Sequence, residues 1–157
     1  MKQIKFIVAT LMAAVFMTIS PSCSEDKDEP AAAAAKTVQG DYSGDLECSV
    51  MGSVSIFEGK TFTITATDES TVSVVLPAFG DAPMALPSIT LAGVKVSEEN
   101  GTVTMATTEV SGQTDTGKNY TCTISGTVQN KTFDLKFNLQ YGAMPMPLIC
   151  SSTAVKQ

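Results

Sequence analysis

From residue 40 onward the chain alternates apolar and polar positions over one short stretch after another. Tyr42, Gly44, Leu46, Cys48 and Val50 share one parity, and Asp41, Ser43, Asp45, Glu47 and Ser49 share the other. A repeat of two describes a strand with one face on a core and one in water. Val54 and Ile56 continue the apolar parity, and Glu58-Gly59-Lys60 reads as a turn. Phe62, Ile64 and Ala66 then alternate with threonines, and Val72, Val74 and Leu76 follow Asp68-Glu69-Ser70. Pro77 to Pro87 breaks the rhythm with three prolines and Gly80, so it reads as a loop or an edge. Ile89 and Leu91 restart a strand, and Val94 and Val96 change parity across Gly93, the mark of a bulge.

The second half repeats the pattern. Asn100-Gly101 predicts a tight hairpin, because both residues accept positive φ. Val103 and Met105 follow, and residues 107–119 are polar without a clear period. Tyr120, Cys122, Ile124, Gly126 and Val128 form one apolar face. After Gln129-Asn130-Lys131 turns the chain, Phe133, Leu135, Phe137, Leu139 and Tyr141 form another. A Met-Pro loop, Ala143 to Pro147, leads to a last run, Leu148 to Ser151. The expectation is all-β, with eight or nine antiparallel strands in sequential order and no helix. One apolar face per strand allows a sandwich or a closed barrel. An up-and-down barrel is preferred because closure removes exposed edges.

The first residues carry a different signal. Lys2 and Lys5 precede an apolar run from Phe6 to Ile19, and Ser20-Pro21-Ser22 closes it. Basic, apolar, small is the order of an export leader. The run of about 14 residues falls short of the ~20 that a spanning helix needs. Ser22-Cys23 resembles the lipobox of bacterial lipoproteins. That resemblance implies cleavage before Cys23 and acylation of its sulfur, with palmitate among the expected chains. Ser24 to Glu29 is acidic, interrupted only by Lys27. It resembles the run that directs such lipoproteins to the outer face of the outer membrane. A plain solvated spacer is the alternative. The predicted layout is a lipoprotein signal peptide over 1–22, a lipidated acidic and Ala-rich tether over 23–37, and a β-barrel domain over 38–153. Five alanines, 31 to 35, are too few to hold a helix unaided.

Composition narrows the chemistry. Removing residues 1–22 takes two of the ten cations and none of the sixteen acids, leaving a formal charge of about −8. That balance argues against nucleic acid as a partner. The chain has no His and no Arg. The commonest general base, the commonest metal ligand and the bidentate anion fork are therefore missing.

With these residues in view, the chain resembles the calycin-like β-barrel lipoproteins of Gram-negative gut bacteria. Gly40-Asp41-Tyr42-Ser43-Gly44-Asp45-Leu46 is similar to that family's opening Gly-x-Tyr-x-Gly-x-Leu. Leu76-Pro77-Ala78-Phe79-Gly80, with Met84 ahead of Ile89-x-Leu91, resembles its Phe-containing segment before the central strand. Ser125-Gly126-Thr127-Val128 with Phe133-x-Leu135-x-Phe137 resembles its penultimate hairpin. The resemblance implies a lipocalin-like fold and a lipid-anchored location, and it carries over no catalytic residue.

Three sites follow from the residues themselves. Cys48, Cys122 and Cys150 lie on core parity in an exported chain, where disulfides persist. First and last strands of a closed barrel are neighbours, so Cys48–Cys150 is the favoured pair. Three buried thiols are the alternative. Asp41, Asp45 and Glu47 share a polar face that suits glycoside chemistry or Ca²⁺, or is simply solvated. Tyr42, Phe62, Tyr120, Phe133, Phe137 and Tyr141 on core parity form a possible pocket with Phe79, Met84, Met144 and Met146 from the two loops. A fully packed interior is the alternative. The expected function is a lipid-anchored binding barrel at the outer membrane and cell surface, without catalysis, cofactor or metal, holding a small apolar or amphipathic ligand. The other reading is a surface adhesin or inhibitor that binds a protein or glycan through its Met/Pro-rich loops.

Overall fold

A computed structural model describes residues 29–157; the leader, Cys23 and the acidic run as far as Asp28 lie outside the described residues. A helix, α1 (Glu29–Val38), precedes eight strands: β1 (Gly40–Val50), β2 (Ser53–Ala66), β3 (Thr71–Leu76), β4 (Ile89–Glu99), β5 (Thr102–Gln113), β6 (Asn119–Gln129), β7 (Thr132–Tyr141) and β8 (Leu148–Lys156). Each strand pairs with the next, and β8 pairs with β1, so the sheet closes into a barrel. All eight junctions are antiparallel. The alternating faces have done what their period demands: inward positions meet and outward ones stay in water.

Three places depart from the sequence reading. Glu58-Gly59-Lys60 is no turn. The first hairpin turns at Met51-Gly52, both at positive φ, and Gly59 sits at φ +61 inside β2. There β2 carries one extra residue: Leu46 pairs with Phe57, but Gly44 pairs with Lys60. The bulge flips parity. Phe57 therefore turns toward the core, while Val54 and Ile56 face out at 56% and 62% exposure. Asp45 holds the bulge by accepting a hydrogen bond from the Gly59 amide at 2.9 Å.

The second departure is α1. The helix is held where its last turns are buried: Ala34, Ala35 and Val38 are at 1%, 0% and 0% exposure. Tertiary burial supplies what a short isolated helix lacks. Tyr42 donates to the Val38 carbonyl at 2.7 Å, and Lys156 donates to the Thr37 carbonyl at 3.1 Å. Thr37 stands beside Gly101 and Asn130, in the β4–β5 and β6–β7 turns. The helix thus covers the end where β1 begins. Third, β8 runs on to Lys156, which keeps β1 paired as far back as Tyr42.

The other sequence cues match their positions. Gly93 lies in a β4 bulge at φ +78, between Leu91 opposite Val74 and Val94 opposite Val72. Asn100-Gly101 and Asn130-Lys131 make tight turns at positive φ. The interior is filled by side chains with almost no exposure, among them Tyr42, Phe62, Leu76, Leu91, Ile124, Phe133 and Phe137. Tyr42 and Phe133 meet edge to face, with centroids 5.3 Å apart. Cys48 and Cys150 stand directly opposite across the β1–β8 seam, Cα atoms 4.2 Å apart, and are joined as a disulfide. Cys122 is a buried free thiol.

Candidate functional site: an apolar cleft at the open end

Strand alternation puts the Met51-Gly52 turn, the 77–88 loop, the Thr114–Lys118 turn and the 142–147 loop at the end opposite α1. Both long loops are held by hydrogen bonds. Phe79 and Leu86 exchange backbone bonds at 3.2 and 2.8 Å, which folds the proline-rich segment into a small hairpin. Lys60 donates to the Ala78 carbonyl at 3.2 Å, and Ser88 donates to the Leu76 carbonyl at 2.8 Å. In the other loop, the Met144 amide donates to the Tyr141 carbonyl at 3.2 Å and the Gln140 side chain donates to the Met144 carbonyl.

Between these loops lies a cleft of about 530 Å³. Phe57, Phe79, Leu86, Met144 and Leu148 line it, Cys48 brings the disulfide to its floor, and Met51, Met84 and Asp81 stand at the rim. The Phe57 and Phe79 rings pack at 5.4 Å between centroids. Met51 and Met84 are 82% and 69% exposed, large values for apolar side chains. Exposed apolar surface gathered around a cavity marks a candidate binding surface, and thioethers adapt to varied shapes.

A second cleft of about 500 Å³ adjoins the first and shares Met84, Leu86 and Met144 with it. Its far side differs in character, being formed by Lys118, Tyr141 and Gly142. The Lys118 ammonium sits 5.6 Å above the Tyr141 ring, and its stem passes over Gly142. Hydrogen bonds from Thr116 and Thr114, helped by the Lys118 charge, hold the Tyr141 phenol below its ordinary value. The two threonine hydroxyls are 2.9 Å apart.

The sequence-derived pocket residues divide sharply. Phe79, Met84 and Met144 come together at the open-end cleft, and Tyr141 lines its neighbour. Phe62, Phe133 and Phe137 are locked in the packed interior and line neither cleft. Tyr42, also buried, lines a separate cleft of about 420 Å³ at the α1 end with Thr37, Val103 and Lys156. Tyr120 is half-buried, lies over Gly112 and donates to the Thr90 carbonyl at 3.2 Å. Met146 is 43% exposed on the 142–147 loop. Sequence reasoning missed Phe57, Leu86, Leu148 and Met51. The parity change after Val54 and Ile56 carried the signal for Phe57.

The outward carboxylates have structural partners. Asp41 accepts from the Thr63 hydroxyl at 2.7 Å, and Asp45 is committed to the Gly59 bulge. Among the described residues no group of three His, Cys, Asp or Glu could hold a metal ion. A further concavity, about 830 Å³, follows the outer wall and is lined mainly by outward groups such as Glu47, Thr127, Lys136 and Thr153. It combines hydroxyls and mixed charge with apolar surface from Ile56, Met105 and Leu135.

Comparison with known proteins agrees with this architecture. No curated protein matches the chain. Among solved structures, a crystal structure of a "putative outer membrane protein" from Bacteroides fragilis superposes with a TM-score of 0.69 at 22% identity. The superposition covers 78% of this chain and 52% of that one, so this chain spans about half of its neighbour's length. A family model, the calycin-like beta-barrel domain, matches residues 38–149. That match takes in β1 to β7 and the start of β8, and the chain belongs to the calycin-like beta-barrel domain family.

Proposed function

We propose that the protein is a lipid-anchored component of the cell envelope that holds a small apolar or amphipathic ligand without transforming it. The observation that carries this reading is the asymmetry of the barrel's ends. One is covered by α1, and the other presents an apolar cleft with exposed methionines. Support for the location comes from the leader, from Ser22-Cys23, and from the neighbour's description as an outer membrane protein. The outward side chains of β7 are Asp134, Lys136, Asn138 and Gln140, unlike the apolar band of a membrane-spanning barrel. Acyl chains on Cys23 would supply the attachment instead. A chain without His, whose nearest acidic pair is engaged in holding its own strands, has little to offer as acid or base.

Native mass spectrometry of the protein purified from its host tests the reading. A co-purifying small mass that is lost on Phe79→Asp supports it. An empty protein that captures another protein or a glycan through its loops would overturn it. That second outcome is favoured by one observation, the exposure of Met51, Met84 and Met146. Lipid labelling that persists unchanged in Cys23→Ser would remove the proposed anchor.

A further inference from the structure

The two clefts at the open end are halves of one site with opposite chemistry. They meet along Met84, Leu86 and Met144. On one side are Phe57 and Phe79. On the other are Lys118, from the Thr114–Lys118 turn, and Tyr141, at the end of β7. Lys118 brings an ammonium, with its stem over Gly142 and its head over the Tyr141 ring. Tyr141 brings a hydroxyl, whereas those of Thr114 and Thr116 are engaged with each other and with the Lys118 carbonyl and stand outside the cleft lining. The turn is fixed by Thr114 N–H to the Lys118 carbonyl at 2.9 Å and Gly117 N–H to the Thr114 carbonyl at 2.8 Å.

We propose that the ligand is an anionic amphiphile, an alkyl chain bearing a carboxylate or phosphate head. Its chain lies in the Phe57–Phe79 cleft, and its head is bound by Lys118 with the Tyr141 hydroxyl. This rests on the ligand-binding reading above and adds the head group to it. An ammonium beside a phenol hydroxyl suits an anion, because charge-assisted bonds are about twice as strong as neutral ones. Two carboxylates are near. Asp81 stands at the rim of the apolar cleft, and Asp115 lies in the exposed turn itself. Asp81 disfavours an anion at the apolar cleft and so leaves the Lys118 side for the head, while Asp115, in the same turn as Lys118, works against that preference. Crossing the ridge selects for length: a short anion fills only the donor patch, and a plain hydrocarbon fills only the apolar cleft.

The test is a competition on the whole protein, released from neutral detergent and read by native mass spectrometry. The probes are dodecanoic acid, dodecyl phosphate and dodecanol in equal amounts. The expected result is about tenfold preference for the two anions over the alcohol. Lys118→Met should erase that preference while alcohol binding persists, and Lys118→Arg should keep it. Equal binding of alcohol and anions, or a preference that survives Lys118→Met, would overturn the head-group assignment and leave the apolar cleft standing. Absence of every adduct would overturn both. Preference for only one anion would tell a fatty acid from a phosphate head, and either fits the assignment.

Discussion

Replacing both Cys48 and Cys150 by alanine removes the covalent link across the seam where the barrel closes. The two cysteines are 102 residues apart in sequence, so the bridge constrains most of the folded domain. In the chain-entropy treatment a loop of that length is worth about 4.7 kcal/mol, all of it acting on the unfolded chain. The folded barrel keeps the seam by other means. Eight residue pairs from Tyr42–Lys156 to Ser49–Ile149 join β1 to β8, and Ser152 donates to the Asp45 carbonyl at 2.8 Å. The double variant should therefore show an unchanged far-ultraviolet circular dichroism spectrum in buffer. Its urea midpoint should fall by about 2 M, taking a slope near 2 kcal/mol per molar for a domain of this size. A midpoint lowered by less than about 0.5 M would refute the reasoning, since the crosslink would then constrain nothing. Loss of the native spectrum without denaturant would refute its other half, that backbone pairing alone holds the seam.

Three further outcomes are expected. Ala35→Asp puts an unpaired carboxylate where α1 has no exposure; hydrogen exchange at residues 34–38 should accelerate while the strands stay protected, and unchanged exchange would contradict the docked helix. Gly126→Ala sets a methyl group 2.6 Å from the Asp134 carbonyl oxygen and 3.0 Å from the Phe133 ring, so it should cost about 1–3 kcal/mol in urea unfolding, and a neutral result would contradict that close approach. Burial pushes the Cys122 thiol up from 9.0 to about 12. The unfolded chain then releases this proton first, so stability should fall as pH rises from 9 toward 12, by at most about 1.4 kcal/mol per pH unit from this group. Burial also raises the Tyr42 phenol and acts in the same direction. Cys122→Ala should flatten the pH dependence in part, and an identical slope would contradict the burial.

Much of this barrel was legible because alternation reports burial directly. β1, β6 and β7 read almost residue by residue, and Gly93 and Asn100-Gly101 disclosed a bulge and a turn through the φ values they tolerate. The failures share a physical cause. Gly59 at positive φ serves a bulge as readily as a turn, and only pairing with β1 decides which. Ala34, Ala35 and Val38 of α1 are buried at a barrel end, and that support is something no local propensity expresses. The site followed the same rule. Phe79, Met84 and Met144 stood out as apolar residues in proline-rich loops. Phe57 was hidden by the unseen parity change, and Phe62, Phe133 and Phe137 proved to be packing rather than lining. Alternation says that a side chain points inward; whether it meets another side chain or an opening depends on how the ends are covered.

The most direct test of the account is backbone amide NMR of the whole protein titrated with the uncharged apolar probe N-phenyl-1-naphthylamine. Shifts confined to residues around 51–57, 79–86 and 142–148 are the predicted result, with the turns at 67–70, 100–101 and 130–131 silent. Shifts centred on Tyr42, Phe62 and Phe133, or on the helix-covered end, would show a ligand inside the barrel and contradict the open-end cleft as its site.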